Sequence, residues 1–212
     1  CTLTYDVNNE GSLVACHCDY ASENGVKALK AMISVAKSPA FSNVSSASNA
    51  TNIGAIVDGA WDAKTVQEKL GDNYAATKLP TVAGYQMGGF GGFKLLGVKP
   101  QTDDAKLAAC DALAYYLASG DVQAARYDAL QWGPSNLEAQ KLDAIQTNAA
   151  LSALAAQLSH CVGQGQYPNE YWSLATALAD SVIAGEYDNY TDEQLLEVLQ
   201  TFQDTAISYA AN

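Results

Sequence analysis

Residues 53–63, with the sequence IGAIVDGAWDA, are the strongest indication of the fold of this chain. Residues 53–60 form a short apolar run typical of a strand buried in a parallel sheet. Such a strand would present Asp58 and Trp61 at its carboxyl end, with Asp62 directly after them. In open α/β sheets, ligands bind beyond the carboxyl ends of the strands. The run therefore predicts an α/β fold in which Trp61 faces a ligand crevice. The two carboxylates are weaker candidates, because carboxylates accept hydrogen bonds from ligand hydroxyls but also solvate ordinary loops.

A second tryptophan lies in the run YPNEYWSLATALADSVIAG, residues 167–185, where a loop precedes a helical pattern. Tyr171 and Trp172 stand at the start of that helix, and this position predicts that both are partly exposed. An indole ring has a flat apolar face that matches the C–H face of a pyranose ring. Trp61 and Trp172 are therefore predicted to stack on a sugar, with Tyr171 adding a ring and a hydroxyl. On composition alone, a core role is the more common one for both tryptophans, because Trp is usually well buried.

The glycine-rich segment QMGGFGGFKLLGV, residues 86–98, lies between the two tryptophans. It fails the phosphate-binding pattern G-x-G-x-x-G because Lys94 occupies the last glycine position, and no G-K-[ST] follows. The glycines instead favour a crossing between two lobes at residues 83–92, where φ and ψ freedom is needed. Phe90 is a candidate for the wall of the crevice, and Phe93 is predicted to lie in the core.

Hydrophobic periodicity predicts the remaining elements. These are strands at residues 2–7 and 12–18 joined by a turn, a helix at 23–37, a second apolar strand at 75–84, and an almost entirely helical chain from residue 103 onward.

The five cysteines leave at least one thiol unpaired, because their number is odd. Cys16 and Cys18 would share one face of a strand with His17 on the other, and no second ligand pair follows, so no metal site is predicted. Cys110 lies on an apolar helical stripe with Leu107, Ala114 and Leu117, which predicts a buried, unreactive thiol.

Composition and charge exclude two classes of function. The chain has 212 residues, of which 49% are hydrophobic and 9% aromatic, as in a globular protein. Its net charge of −12, with 11 basic residues, argues against binding to nucleic acid, whose phosphates require Lys and Arg. No run of about 18 apolar residues is present that could span a bilayer.

The order of several short strings resembles the C-terminal part of bacterial extracellular solute-binding proteins of the maltose-binding type, which are the receptor components of sugar ABC transporters. The strings include YDVNNEGSL, IGAIVDGAWDA, WGPSNLEAQ and NEYWSLATALADSVIAGE. The resemblance begins in the middle of the family's chain. We therefore expect the parent polypeptide to be longer than this sequence, with the part that holds most of the second lobe lying before Cys1. Cys1 itself is not expected to carry a lipid, because CTLTYDV alternates like a strand and does not resemble a flexible tether.

The resemblance implies a two-lobed, helix-rich fold of the periplasmic-binding-protein class. Residues 1–82 would form the first lobe, residues 83–146 part of the second lobe, and residues 147–212 helices that return to the first. It also implies capture of a maltose- or maltodextrin-like sugar at the bacterial cell surface and its delivery to an ABC permease. A lipid anchor would lie in a segment outside this chain, and no cofactor is expected.

Two other classes of function stay open at this stage. A surface module that adheres to glycans could use the same lobe without transport, and the flanking gene sequence would distinguish it from a transport receptor. An enzyme is disfavoured, because no acid and base pair at glycosidase spacing stands out among the 23 carboxylates.

Overall fold

A computed structural model describes residues 1–44, 46–47 and 52–210. Its contacts divide the chain into two compact units. Unit 1 consists of Cys1–Ser42 together with Gln164–Asn212, and unit 2 consists of Asn43–Gly163.

The described residues form short strands and longer helices. The strands are β1 (Leu3–Val7), β2 (Leu13–Cys18), β3 (Thr81–Val82), β4 (Tyr85–Gln86), β5 (Gly89–Gly91) and β6 (Cys161–Gly163). The α-helices are α1 (Glu23–Ala36), α2 (Ala63–Leu70), α3 (Asp104–Leu117), α4 (Gly120–Leu130), α5 (Asp143–Gln146), α6 (Ala149–Leu158), α7 (Asn169–Ile183) and α8 (Asp192–Ser208). Short 3-10 helices lie at Ala60–Asp62, Gly71–Asn73 and Ala139–Lys141.

Unit 1 begins with an antiparallel hairpin of β1 and β2, as the alternating pattern predicted. The turn is closed by Asn8, whose Oδ1 accepts hydrogen bonds from the N–H groups of Glu10 and Ser12 at 3.0 and 2.9 Å. Gly11 follows with a φ of 84°, a conformation that glycine adopts without steric cost. The inner face of the hairpin packs against α7 and α8.

The core of unit 1 is built where α1, α7 and α8 meet. Leu29 of α1 and Leu195 of α8 are each 2% exposed, and Val182 of α7 lies in the same cluster. Helical spacing places these apolar side chains on one face of each helix. A second cluster joins the hairpin to α7 and α8 through buried residues: Leu3, Tyr5, Tyr171, Phe202 and Ala206.

Unit 2 holds short sheets fastened to α6. Strands β3 and β4 form a hairpin whose turn residues, Ala83 and Gly84, have φ angles of 51° and 85°, as in the turns that match strand twist. Strand β5 pairs in parallel with β6. The buried Gln157 of α6 ties this region together, because its Oε1 accepts from the Leu79 N–H and its Nε2 donates to the Met87 carbonyl, both at 3.0 Å.

The predicted strand at residues 53–60 is wrong. Residues 53–59 belong to no strand or helix, and Val57 is 65% exposed. The predicted strand at 75–84 is also largely wrong, since the part of it that pairs is Thr81–Val82. Each sheet among the described residues has two strands, so these apolar runs have no neighbouring strands to enclose them.

The apolar stripe of α3 is covered less than predicted. Cys110 and its neighbours Leu107, Ala114 and Leu117 form the more covered face of the helix, yet each is half-buried. No residue of α3 is fully buried. Cys110 is thus only partly buried, and the low reactivity of its thiol stays a prediction. The five cysteines are all free thiols.

The compact units do not share boundaries with the predicted lobes at residues 82 and 147. Strand β5 lies within the predicted crossing at residues 83–92 and β6 lies beyond residue 147, yet the two strands pair within unit 2. The assignment of lobes stays a prediction. None of the described helices is both long and apolar enough to cross a bilayer.

Candidate functional site

Trp61 has a defined place on the surface of unit 2. It lies in the 3-10 helix Ala60–Asp62, which contacts α2 and α6. The Trp61 side chain is 67% exposed. Its indole ring lies against Gly59, because an ideal Cβ added to Gly59 would come within 2.3 Å of the ring carbons Cζ2 and Cη2. The backbone thus supports one side of the ring while most of the ring surface is open to solvent. Such a surface can stack on an apolar ring face of a ligand.

Two carboxylates flank Trp61. Asp58 Oδ1 accepts a hydrogen bond from the Gly59 N–H at 2.7 Å, and its Oδ2 accepts one from the Ala47 N–H at 2.9 Å. Desolvation, together with the negative charge of the nearby Asp58, raises the pKa of the Asp62 carboxyl. Each carboxylate oxygen has two lone pairs, so the pair retains acceptor positions for hydroxyl groups.

Trp172 lies in unit 1, near the start of α7, and is 41% exposed. Its ring centroid is 5.2 Å from that of Tyr171 and 5.7 Å from that of Tyr167. The prediction that both residues at this helix start are partly exposed is correct for Trp172. It is wrong for Tyr171, which is 6% exposed and packs in the core with Leu3 and Phe202.

The burial of Tyr171 follows from the hairpin beneath it. Burial raises the pKa of Tyr171, and its hydroxyl is hydrogen-bonded to Tyr20. Tyr167, which sequence reasoning passed over, donates a hydrogen bond from its hydroxyl to the Leu3 carbonyl at 2.7 Å. Tyr171 and Tyr167 therefore form the base on which Trp172 lies. The sequence signal that could have drawn attention to Tyr167 is the adjacent Pro168, because proline is common where a loop leads into a helix.

Three further aromatic residues, of which Phe90 is the candidate for a ligand contact, lie elsewhere in unit 2. Phe90 is in β5 and is 43% exposed. Phe93 is 80% exposed, so the prediction that it lies in the core is wrong. Trp132 is half-buried, and the Lys94 Nζ lies 4.7 Å from the centroid of its ring. A cation at this distance is attracted by the negative face of an indole.

In the Cys16-His17-Cys18 motif, the two thiols lie on one face of β2 and the imidazole lies on the other, as the strand pattern predicted. Cys16 and Cys18 pack against the second core cluster, and burial raises the pKa of both thiols. On the outer face, the His17 Nε2 lies 3.0 Å from Asp6 Oδ2. No group of His, Cys, Asp and Glu able to hold a metal ion occurs in the part of the chain that the structure describes.

The local turn thus brings Trp61, Asp58 and Asp62 together on unit 2, and the start of α7 brings Tyr171 and Trp172 together on unit 1. Phe90 lies on a separate strand of unit 2. Sequence reasoning missed Gly59, although a glycine two positions before a tryptophan was visible.

Residues 6–153 match the family model for bacterial extracellular solute-binding proteins, which is more than half of the chain. The chain belongs to this family. The resemblance stated from sequence is thereby confirmed, and an extracellular location is the one that the family implies. The function of the family is binding of solutes. No curated protein matches the chain at a significant level.

The solved structures that share the fold of this solute-binding chain include two maltodextrin-binding proteins. The maltodextrin-binding protein MalE1 from L. casei BL23, without ligand, matches with a TM-score of 0.72 and 18% identity over 92% of this chain and 53% of that chain. The maltose-maltodextrin binding protein of the thermoacidophilic bacterium Alicyclobacillus acidocaldarius matches with a TM-score of 0.62 and 20% identity over 94% of this chain and 55% of that chain. The predicted fold class, an α/β periplasmic-binding-protein-like fold that is rich in helices, is confirmed. This chain spans about half the length of each of these proteins.

Proposed function

We propose that this chain captures a sugar of the maltodextrin type, an α-linked glucan fragment. It then delivers the sugar to the permease of an ABC importer in the bacterial membrane. The observation that carries the proposal is the exposed indole of Trp61, which is 67% exposed and backed by Gly59. A flat indole ring that the backbone supports on one side presents its open face to a ligand, and a pyranose offers a complementary apolar face.

Polar groups beside the ring suit the edge of a sugar. Sugar hydroxyls donate hydrogen bonds around the rim of the pyranose ring, and the carboxylates of Asp58 and Asp62 accept them. Asp58 already receives two backbone N–H groups, so its main contribution is to fix the loop. Asp62 is the better candidate for direct contact with a hydroxyl.

Trp172 is proposed as a second surface on which a sugar ring can stack. Its exposed fraction of 41% leaves ring surface for a ligand, while the buried ring of Tyr171 holds it from beneath. Tyr171 would thus act through Trp172 instead of offering its own ring and hydroxyl to the sugar. Phe90, at 43% exposure, is proposed as an additional apolar contact.

The choice of an α-glucan is supported by the maltodextrin-binding proteins that share the fold. An acidic chain with a net charge of −12 suits a neutral ligand and avoids binding to an anionic cell envelope. Attachment to the cell surface would be through a lipid on a segment outside this sequence.

Calorimetric titration of the native polypeptide with maltose, maltotriose and maltotetraose tests the proposal. We expect saturable binding with one site, and no release of glucose during the titration. Neutral sugars without an α-1,4 linkage, such as cellobiose, provide the comparison. A folded protein that gives no binding signal with any malto-oligosaccharide would refute the assignment to α-glucans.

A further inference from the structure

The backbone conformation of Gly59 does not require a glycine. Its φ of −85° and ψ of 156° lie in the extended region that every L-residue adopts. The side-chain space is the constraint: an ideal Cβ would lie 2.3 Å from Trp61 Cζ2 and Cη2 and 2.4 Å from Cε2. Carbon atoms that are not bonded approach to about 3.5 Å. The position therefore excludes a side chain because the indole ring occupies the place of the Cβ.

The backbone on which the ring lies is held from several sides. The Gly59 N–H donates to Asp58 Oδ1 at 2.7 Å, and the Gly59 carbonyl accepts from the Asp62 N–H at 3.1 Å. The other oxygen of Asp58 accepts from the Ala47 N–H at 2.9 Å. A side chain added at Gly59 would therefore displace the ring more easily than the backbone. The ring has room to move, because Trp61 is largely exposed.

We propose that Gly59 is a positioning residue of the sugar site, an inference that rests on the sugar-binding function proposed above. Its bare Cα is the surface on which the Trp61 indole lies, and it fixes which face of the ring is turned to the ligand. Gly59 makes no contact with the sugar itself. Asp58 holds Gly59 in place through its two backbone hydrogen bonds.

The chain provides a matched control for this inference. Gly54 lies shortly before Gly59 and outside any helix or strand, has no positive φ, and a Cβ added there meets no heavy atom within 4 Å. Gly54→Ala and Gly59→Ala thus make the same change in chain entropy. They differ in whether the new methyl group meets the Trp61 ring.

The test measures maltotriose affinity and the environment of Trp61 in both variants. Labelling with 5-fluorotryptophan gives one ¹⁹F resonance for each of the three tryptophans, and Trp→Phe variants assign them. We expect Gly59→Ala to shift the Trp61 resonance in the absence of sugar and to weaken maltotriose binding about tenfold. Gly54→Ala should change neither. In the double variant Gly59→Ala/Trp61→Ala, binding should be no weaker than in Trp61→Ala alone.

The outcomes separate this inference from the function on which it rests. An unshifted Trp61 resonance in Gly59→Ala would overturn the positioning role, whatever the sugar affinity. A shifted resonance with unchanged maltotriose affinity would overturn it as well. If Trp61→Ala itself leaves the affinity unchanged, the proposed site fails. A shifted Trp61 resonance in Gly59→Ala would then show only that the ring lies on Gly59, and its positioning role in sugar binding would fall with the site.

Discussion

Replacing Trp61 by alanine is expected to weaken maltotriose binding by about tenfold to a hundredfold. This is the effect of losing roughly 1.5 to 3 kcal/mol of apolar contact when one aromatic ring no longer covers the sugar face. The free energy of unfolding should change by no more than about 0.5 kcal/mol, because the side chain is 67% exposed and its removal leaves no internal cavity. Isothermal titration and thermal melts of the same preparations measure both quantities.

Trp132→Ala is the matched control for that experiment. Trp132 is half-buried under Lys94 and is not part of the proposed site. Its removal should lower the melting temperature and leave the maltotriose affinity within about twofold, since roughly 0.4 kcal/mol is the scale of an indirect effect. A Trp61→Ala protein that melts much earlier yet binds maltotriose normally would mean that Trp61 is a structural residue, and the sugar-site assignment would be withdrawn.

Replacing Leu195 by alanine is expected to destabilise unit 1 by about 2 to 5 kcal/mol. Leu195 is 2% exposed and lies in the cluster that joins α8 to Leu29 of α1 and Val182 of α7. Truncation removes the transfer free energy of the buried carbons and leaves a cavity that the neighbouring helices cannot fill. Chemical denaturation monitored by circular dichroism gives the free energy of unfolding from the midpoint and slope.

The adjacent Leu196 provides the control, because it is on the same helix and is 40% exposed. Leu196→Ala should cost less than about 1 kcal/mol, since little apolar surface leaves the core. Equal losses for the two variants would show that the packing of α8 is not as described.

Local signals in the sequence predicted the elements of unit 1 well. The strands predicted at residues 2–7 and 12–18, with a turn between them, correspond to β1 and β2, and the helix predicted at 23–37 corresponds to α1. These elements depend on turn residues and periodicity that lie within the element itself. The long α8 was predicted for the same reason.

The failures have a common physical cause, because they concern contacts between distant residues. The apolar run at residues 53–60 was interpreted as a buried strand, but a strand needs partners, and none pairs with it among the described residues. Phe93 was placed in the core because it is apolar, yet it is 80% exposed. Apolar character alone does not determine burial, since a folded protein leaves much apolar surface in water.

The candidate site could be predicted in its residue types but not in its geometry. Trp61 and Trp172 were identified from the sequence, and both are exposed enough to meet a ligand. The burial of Tyr171 depends on Tyr5 and Phe202, which are distant in the chain and invisible to helical spacing. The role of Gly59 depends on the direction in which the Trp61 ring turns, a rotamer that the sequence does not specify.

The most direct test of the account is the solvent exposure of the Trp61 ring with and without sugar. In protein labelled with 5-fluorotryptophan, the change of each ¹⁹F shift between H₂O and D₂O measures how far water reaches that ring. The account predicts that the isotope shift of the Trp61 resonance falls when the native chain is saturated with maltotriose, while that of Trp132 stays the same. A Trp61 resonance that keeps both its position and its full isotope shift at saturating maltotriose would contradict the claim that this ring is where the sugar binds.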